Sequence, residues 1–113
     1  MDGGAAAARR ELLRSGLIQI FETACELCWK SMKRRLEMNF SPDEVSCVSR
    51  RELFRICAEN LLIDDVNKWM KFHQARNRTS HIYNETVAEE VFGAARQFLP
   101  YARDCLKQLE GRS

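Results

Sequence analysis

From about Ala6 to Met38 apolar residues recur at spacings of three and four. Leu13, Leu17, Ile20, Ala24 and Leu27 form one stripe, and Phe21, Cys25, Cys28, Met32 and Leu36 form a second beside it. That periodicity predicts a long helix, and two adjacent stripes give it an apolar face wider than a lone surface helix needs. Such a helix belongs at the centre of a bundle or in a dimer interface. Glu22, Glu26 and Lys30 step by four along it, and Glu26 before Lys30 is the order that supports a helix.

The pattern breaks at "MNFSPDEVSC". Ser49 and Glu52 have the spacing of a capping box, which predicts a second helix through about Asn60 on Leu53, Phe54, Ile56 and Cys57. Ser41 and Glu44 share that form, so a short extra turn is expected before it. Asp64 or Asp65 caps a third helix carrying Trp69, Met70 and His73. A fourth begins near Asn84 to Thr86, where Thr86 and Glu89 again match a capping box. It continues on Val87, Val91, Ala94, Ala95, Phe98, Tyr101, Ala102, Cys105 and Leu109. Pro100 should kink this helix without ending it, because the periodicity resumes beyond it. No alternating strand pattern occurs, so the expected fold is all-α: a four-helix up-and-down bundle, residues 9–111, behind a flexible lead of residues 1–8.

Composition narrows the picture further. One domain is what 113 residues allow, and no apolar run approaches the roughly 18 residues of a membrane span. "MDGGAAAARRE" lacks a hydrophobic signal core, which leads us to expect a cytoplasmic protein. A net charge of +2 does not announce a nucleic-acid binder, and the cluster Lys30, Lys33, Arg34, Arg35 reads as a solvated helix face. Five cysteines without a signal peptide are expected to be reduced thiols. Cys25 and Cys28 form a C-x-x-C, but in mid-helix and without a second pair, so both read as small apolar residues; Cys105 reads the same way. No metal site and no cofactor are expected.

The densest chemistry lies in "QARNRTSHIYNE", residues 74–85. Arg76 and His81 are five apart, about 140° out of line on a continuous helix. They could face one cleft only if the helix gives way near Thr79 and Ser80. A structural role is that both pair with acidic groups and close a helix end. A functional one is metal-independent RNA cleavage, in which a histidine helps deprotonate a 2′-hydroxyl and an arginine steadies the phosphate.

"RNRTSHIYNE" resembles the R-x4-H-x-Y signature of HEPN domains. "LIQIFETACELCWKSMKRRL" is similar to the first-helix pattern of the nucleotidyltransferase substrate-binding protein family, through Ile18, Gln19, Phe21, Glu22, Glu26, Leu27, Trp29 and Lys30. "ENLLIDDVNKWMKFHQARNRTSHIYNE" resembles that family's later block, and the likeness spans roughly residues 12–109. The resemblance implies a HEPN-like bundle that dimerises through helix faces, as a homodimer or a higher oligomer. It further implies a minimal nucleotidyltransferase as partner in a two-component, toxin–antitoxin-like system. Asn77, Ser80 and Tyr83 would then contact substrate or partner, and Tyr83 would be the tyrosine open to nucleotidylation. The alternative that it implies is a metal-independent endoribonuclease toxin, with Arg76 and His81 catalytic and RNA as substrate. His73, where the family more often has an acidic or aliphatic residue, reads as a packing histidine.

Overall fold

In the computed structural model, which describes residues 2–46 and 48–111, helices account for nearly all of the chain and the described residues contain no strand. The elements are α1 (Asp2–Asn39), α2 (Pro42–Ser46), α3 (Arg50–Glu59), α4 (Val66–Arg78), a 3-10 turn (Thr79–His81) and α5 (Glu85–Gly111). Cys47 lies outside the described residues.

The starts of α2, α3, α4 and α5 are each fixed by a side chain that satisfies otherwise orphaned backbone donors. At α2 the box is reciprocal: the Glu44 amide donates to Ser41 Oγ and the Ser41 amide donates to Glu44 Oε2, both at 3.3 Å. Ser49 Oγ accepts from the Glu52 amide at 3.2 Å, and Asp65 Oδ1 accepts from the Lys68 amide at 3.1 Å. The cap of α5 differs from the expected Thr86–Glu89 box. Asn84 Oδ1 accepts from the Val87 amide at 2.9 Å, and the helix starts one residue later. Asparagine is a strong cap because its short amide reaches the third amide ahead. It stood two residues upstream of the matched pair and took the position first. α5 then runs through Pro100 without ending.

The end of α3 carries a Schellman motif. The Leu62 amide donates to Cys57 O at 2.9 Å and the Leu61 amide donates to Ala58 O at 3.1 Å. That geometry needs a left-handed residue between them, and Leu61 supplies it at φ 61°.

Packing follows the second stripe of α1. Phe21, Cys28, Met32 and Leu36 are at most 1% exposed and Cys25 is 6% exposed. Phe21 meets Phe98 edge to face with ring centroids 5.4 Å apart, and Trp69, Phe72 and Tyr101 continue the aromatic core. Burying one such phenylalanine contributes about 1.5–3 kcal/mol. Burial also pushes the Cys25 and Cys57 thiols up to about 12, so the C-x-x-C offers no reactive thiolate from Cys25.

Cross-helix pairs give the directions. Arg14 forks onto Glu85 at 2.6 and 3.1 Å, Phe21 meets Phe98, and the free thiols of Cys28 and Cys105 lie side by side, so α1 and α5 run parallel. α4 opposes both, with Trp29 beside His73 and Glu22 beside Thr79 on α1, and Trp69 beside Phe98 and Arg78 beside Glu90 on α5. Phe54 meets Trp69 while Arg50, one turn earlier on α3, brings its charge to His73, so α3 and α4 form an antiparallel hairpin. The alternation expected of the long helices therefore holds for α3, α4 and α5. Before them, residues 40–49 carry the chain back along α1, for Arg50 lies over the Trp29 ring at 3.5 Å.

α1 begins at Asp2, ahead of the expected start near Ala6. At 38 residues it is about 57 Å long and accounts for the 59 Å longest dimension. Its first stripe is only partly covered within the chain: Leu17 and Ala24 pack against the core, while Leu13, Ile20 and Leu27 are 55–68% exposed. No helix among the described residues is long and apolar enough to cross a membrane.

Candidate functional site

α4 ends because residues 76–81 switch hydrogen-bond partners. Thr79 Oγ1 donates back to Arg76 O at 2.8 Å, the competition by which a threonine loosens a last helical turn. The chain tightens into the 3-10 turn Thr79–His81 and leaves it extended at Ile82. The helix thus gives way where the Arg76–His81 spacing required it to, by overwinding into a 3-10 turn rather than by fraying.

Arg76 turns inward against α1. Its guanidinium NH1 lies 3.3 Å from Glu22 Oε2 and its NH2 3.4 Å from Glu26 Oε1. NH1 also donates to Thr79 Oγ1 at 3.4 Å, and Thr79 Oγ1 lies 3.1 Å from Glu22 Oε2, so its single proton is shared between that carboxylate and Arg76 O. The Arg76 side chain is only 20% exposed, and its buried Nε has no hydrogen-bond partner among the described residues. Glu22 and Glu26 are one turn apart on α1, so their carboxylates stand on the same face and converge on the one cation. Glu26 also reaches Lys30 Nζ at 3.9 Å, the pair expected from their spacing.

The other residues of the stretch face water. Ser80, His81 and Tyr83 are exposed, Tyr83 at 80%, and none has a hydrogen bond or ion pair among the described residues. Asn77 is exposed as well, with Nδ2 3.4 Å from His73 Nε2. Within one chain, then, the candidates divide: Arg76 is tied to two carboxylates, while Asn77, Ser80, His81 and Tyr83 are presented around the turn. The acid pairing considered for both Arg76 and His81 holds for Arg76 alone.

Next to this face lies a stack. Arg50 covers the Trp29 ring, and His73 meets Trp29 edge-on at 5.5 Å and Phe54 at 6.5 Å. Burial, then the charges of Arg50 and Arg76, holds the His73 imidazole below its ordinary value. His73 is the packing histidine its setting in the sequence suggested. Glu22, Glu26 and Thr79 were not singled out as site residues; the i, i+4 step of the two glutamates was the signal available for them.

Residues 4–111 match the family described as nucleotidyltransferase substrate binding protein like. A probable ribonuclease HepT of Haemophilus influenzae is 32% identical over 105 residues, covering 92% of this chain and 72% of that protein. A solved structure from the same organism, described as the fold of a substrate binding domain of a nucleotidyltransferase, is similar with a TM-score of 0.86. The likeness to it is 31% identical and covers 92% of this chain and 78% of that one. The match over nearly the whole chain makes this protein a member of the nucleotidyltransferase substrate binding protein-like family.

Proposed function

We propose that this protein is the partner subunit of a minimal nucleotidyltransferase in a two-component, toxin–antitoxin-like system of the cytoplasm. It binds the transferase, its substrate, or both through the face that carries Asn77, Ser80, His81 and Tyr83. The observation that supports this reading is the division of the motif. Arg76 has its charge balanced by Glu22 and Glu26, so in one chain it braces the turn and is not a free phosphate clamp. The turn it braces holds four polar side chains out in water, where a partner or a nucleotide can reach them. The uncovered stripe of Leu13, Ile20 and Leu27 suits a homodimer, since a second copy presents the same stripe.

A second reading is a metal-independent endoribonuclease silenced by its nucleotidyltransferase. Two observations favour it: the 32% identity to a probable ribonuclease, and an exposed His81 that no carboxylate among the described residues holds. His81 would take the proton from a 2′-hydroxyl as that oxygen attacks the adjacent phosphorus. The 5′-oxygen leaves and is protonated, which gives a 2′,3′-cyclic phosphate. Arg76 would have to exchange its glutamates for the phosphate. Silencing by nucleotidylation would fall on Tyr83, which is 80% exposed.

Total RNA and tRNA incubated with the protein in EDTA, beside Arg76→Ala and His81→Ala, separate the two. Cleavage by wild type that is lost in both variants establishes the ribonuclease. No cleavage by folded wild type, with retained binding to the transferase, establishes the partner role. Mass spectrometry after incubation with transferase and ATP tests Tyr83. An added nucleotide absent from Tyr83→Phe is expected there, and no mass shift on any residue rejects the modification.

A further inference from the structure

A cleft of about 580 Å³ opens between the α3–α4 loop and α5, at the end of α4 away from Arg76. Its apolar lining includes buried Trp69, half-buried Tyr101, Pro100 and the exposed Leu61. Its charges are Asp64 and Asp104, one on the loop and one on α5. Among the described residues no lysine or arginine lines this cleft. Both carboxylates are exposed, and among the described residues neither has an ion-pair or hydrogen-bond partner. Capping does not occupy Asp64 either, because its neighbour Asp65 caps α4.

We propose that this cleft is a binding site for an organic cation, an ammonium or guanidinium group on an apolar stem. The size is that of a small-ligand pocket, typically about 300–1,000 Å³. Two carboxylates without a partner among the described residues give charge-assisted hydrogen bonds to such a head group, the half-buried Tyr101 ring attracts a cation, and the buried Trp69 forms the apolar floor beneath its stem. An anion meets repulsion from both aspartates. A neutral apolar ligand would strip water from two carboxylates without compensation. A bare metal ion would use the carboxylates and leave the aromatic lining without a role. The cation can be a free amine or the side chain of an arginine or lysine in a peptide; the head-group chemistry is the same.

The probes are agmatine for the free cation, N-acetylarginine amide for the peptide side chain, and N-acetylcitrulline amide as the neutral isostere. Indole NMR signals distinguish Trp69, in the cleft, from Trp29, outside it. At least one cationic probe should saturably shift the Trp69 signal and leave Trp29 unmoved, and which of the two does so identifies the source. The paired variant Asp64→Asn with Asp104→Asn, folded because both sites are exposed, should weaken that binding about tenfold or more, the loss of roughly one charge-assisted bond. Three results overturn the proposal: no saturable shift with either cation, equal binding of the citrulline analogue, or undiminished binding by the paired variant.

Discussion

The Arg76 guanidinium on α4 bridges Glu22 and Glu26 on α1, at 3.3 and 3.4 Å. One cation thus fastens the last turn of α4 to two carboxylates a helical turn apart. Arg76→Ala removes the tie and leaves like charges facing each other at i, i+4. The expected loss is about 1–2 kcal/mol, kept modest by the partial exposure of both glutamates. The urea midpoint checks this. A change near zero at low salt would mean that the bridge contributes nothing to folding.

Trp29 is clamped between Arg50 on one face and His73 at its edge. Trp29→Ala loses the ring's packing and uncovers the Arg50 stem, with an expected cost of about 3 kcal/mol. Trp29→Phe keeps a π face and should recover most of it. Equal destabilisation by the two substitutions would show that the stack itself contributes little.

His73 sets a pH dependence. Its folded-state value lies below the unfolded one, through burial first and then the charges of Arg50 and Arg76. The unfolded chain therefore binds the proton more tightly. The contribution of neutral His73 is complete above about pH 6.5 and is lost as the pH falls below it. Denaturation at pH 7.5, 6.0 and 5.0 should show falling stability, with a shallower fall in His73→Gln. Identical slopes in variant and wild type would assign the dependence to other groups.

Leu61 holds a left-handed conformation that glycine adopts without strain. It is also 71% exposed, so its side chain gains little from packing in return. Leu61→Gly should raise stability by about 0.5–1 kcal/mol. Thermal melting measures it, and a destabilised variant would mean that Leu61 packs more tightly than its exposure indicates.

The helices were legible because their periodicity and caps are local. Phe21 through Leu36 marked the buried stripe, and Ser49 and Asp65 marked helix starts, all within a few residues of chain. The cap of α5 was misplaced because two candidate caps stood two residues apart, and a spacing rule does not rank an asparagine against a threonine. The motif residues were legible as residue types. The partners of Arg76 were not, because Glu22 and Glu26 lie 50 or more positions upstream and only the crossing of α4 over α1 brings them near. The direction of α1 was hidden for the same reason, since a ten-residue connection can return a chain or reverse it.

The parallel pairing of α1 with α5 also orders events during synthesis. The ribosome delivers Phe21, Cys28 and Met32 early, but Phe98 and Cys105, which cover that stripe, come some 77 positions later. The stripe that α5 covers stays open until Phe98 and Cys105 have been made, although α3 and α4 already reach α1 through Arg50 and Arg76. Its closing contact is among the most distant in sequence, so folding is slower than the helical content alone implies. A chain stalled before residue 91 would keep a hydrophobic seam open, and chaperones and proteases bind seams of that kind.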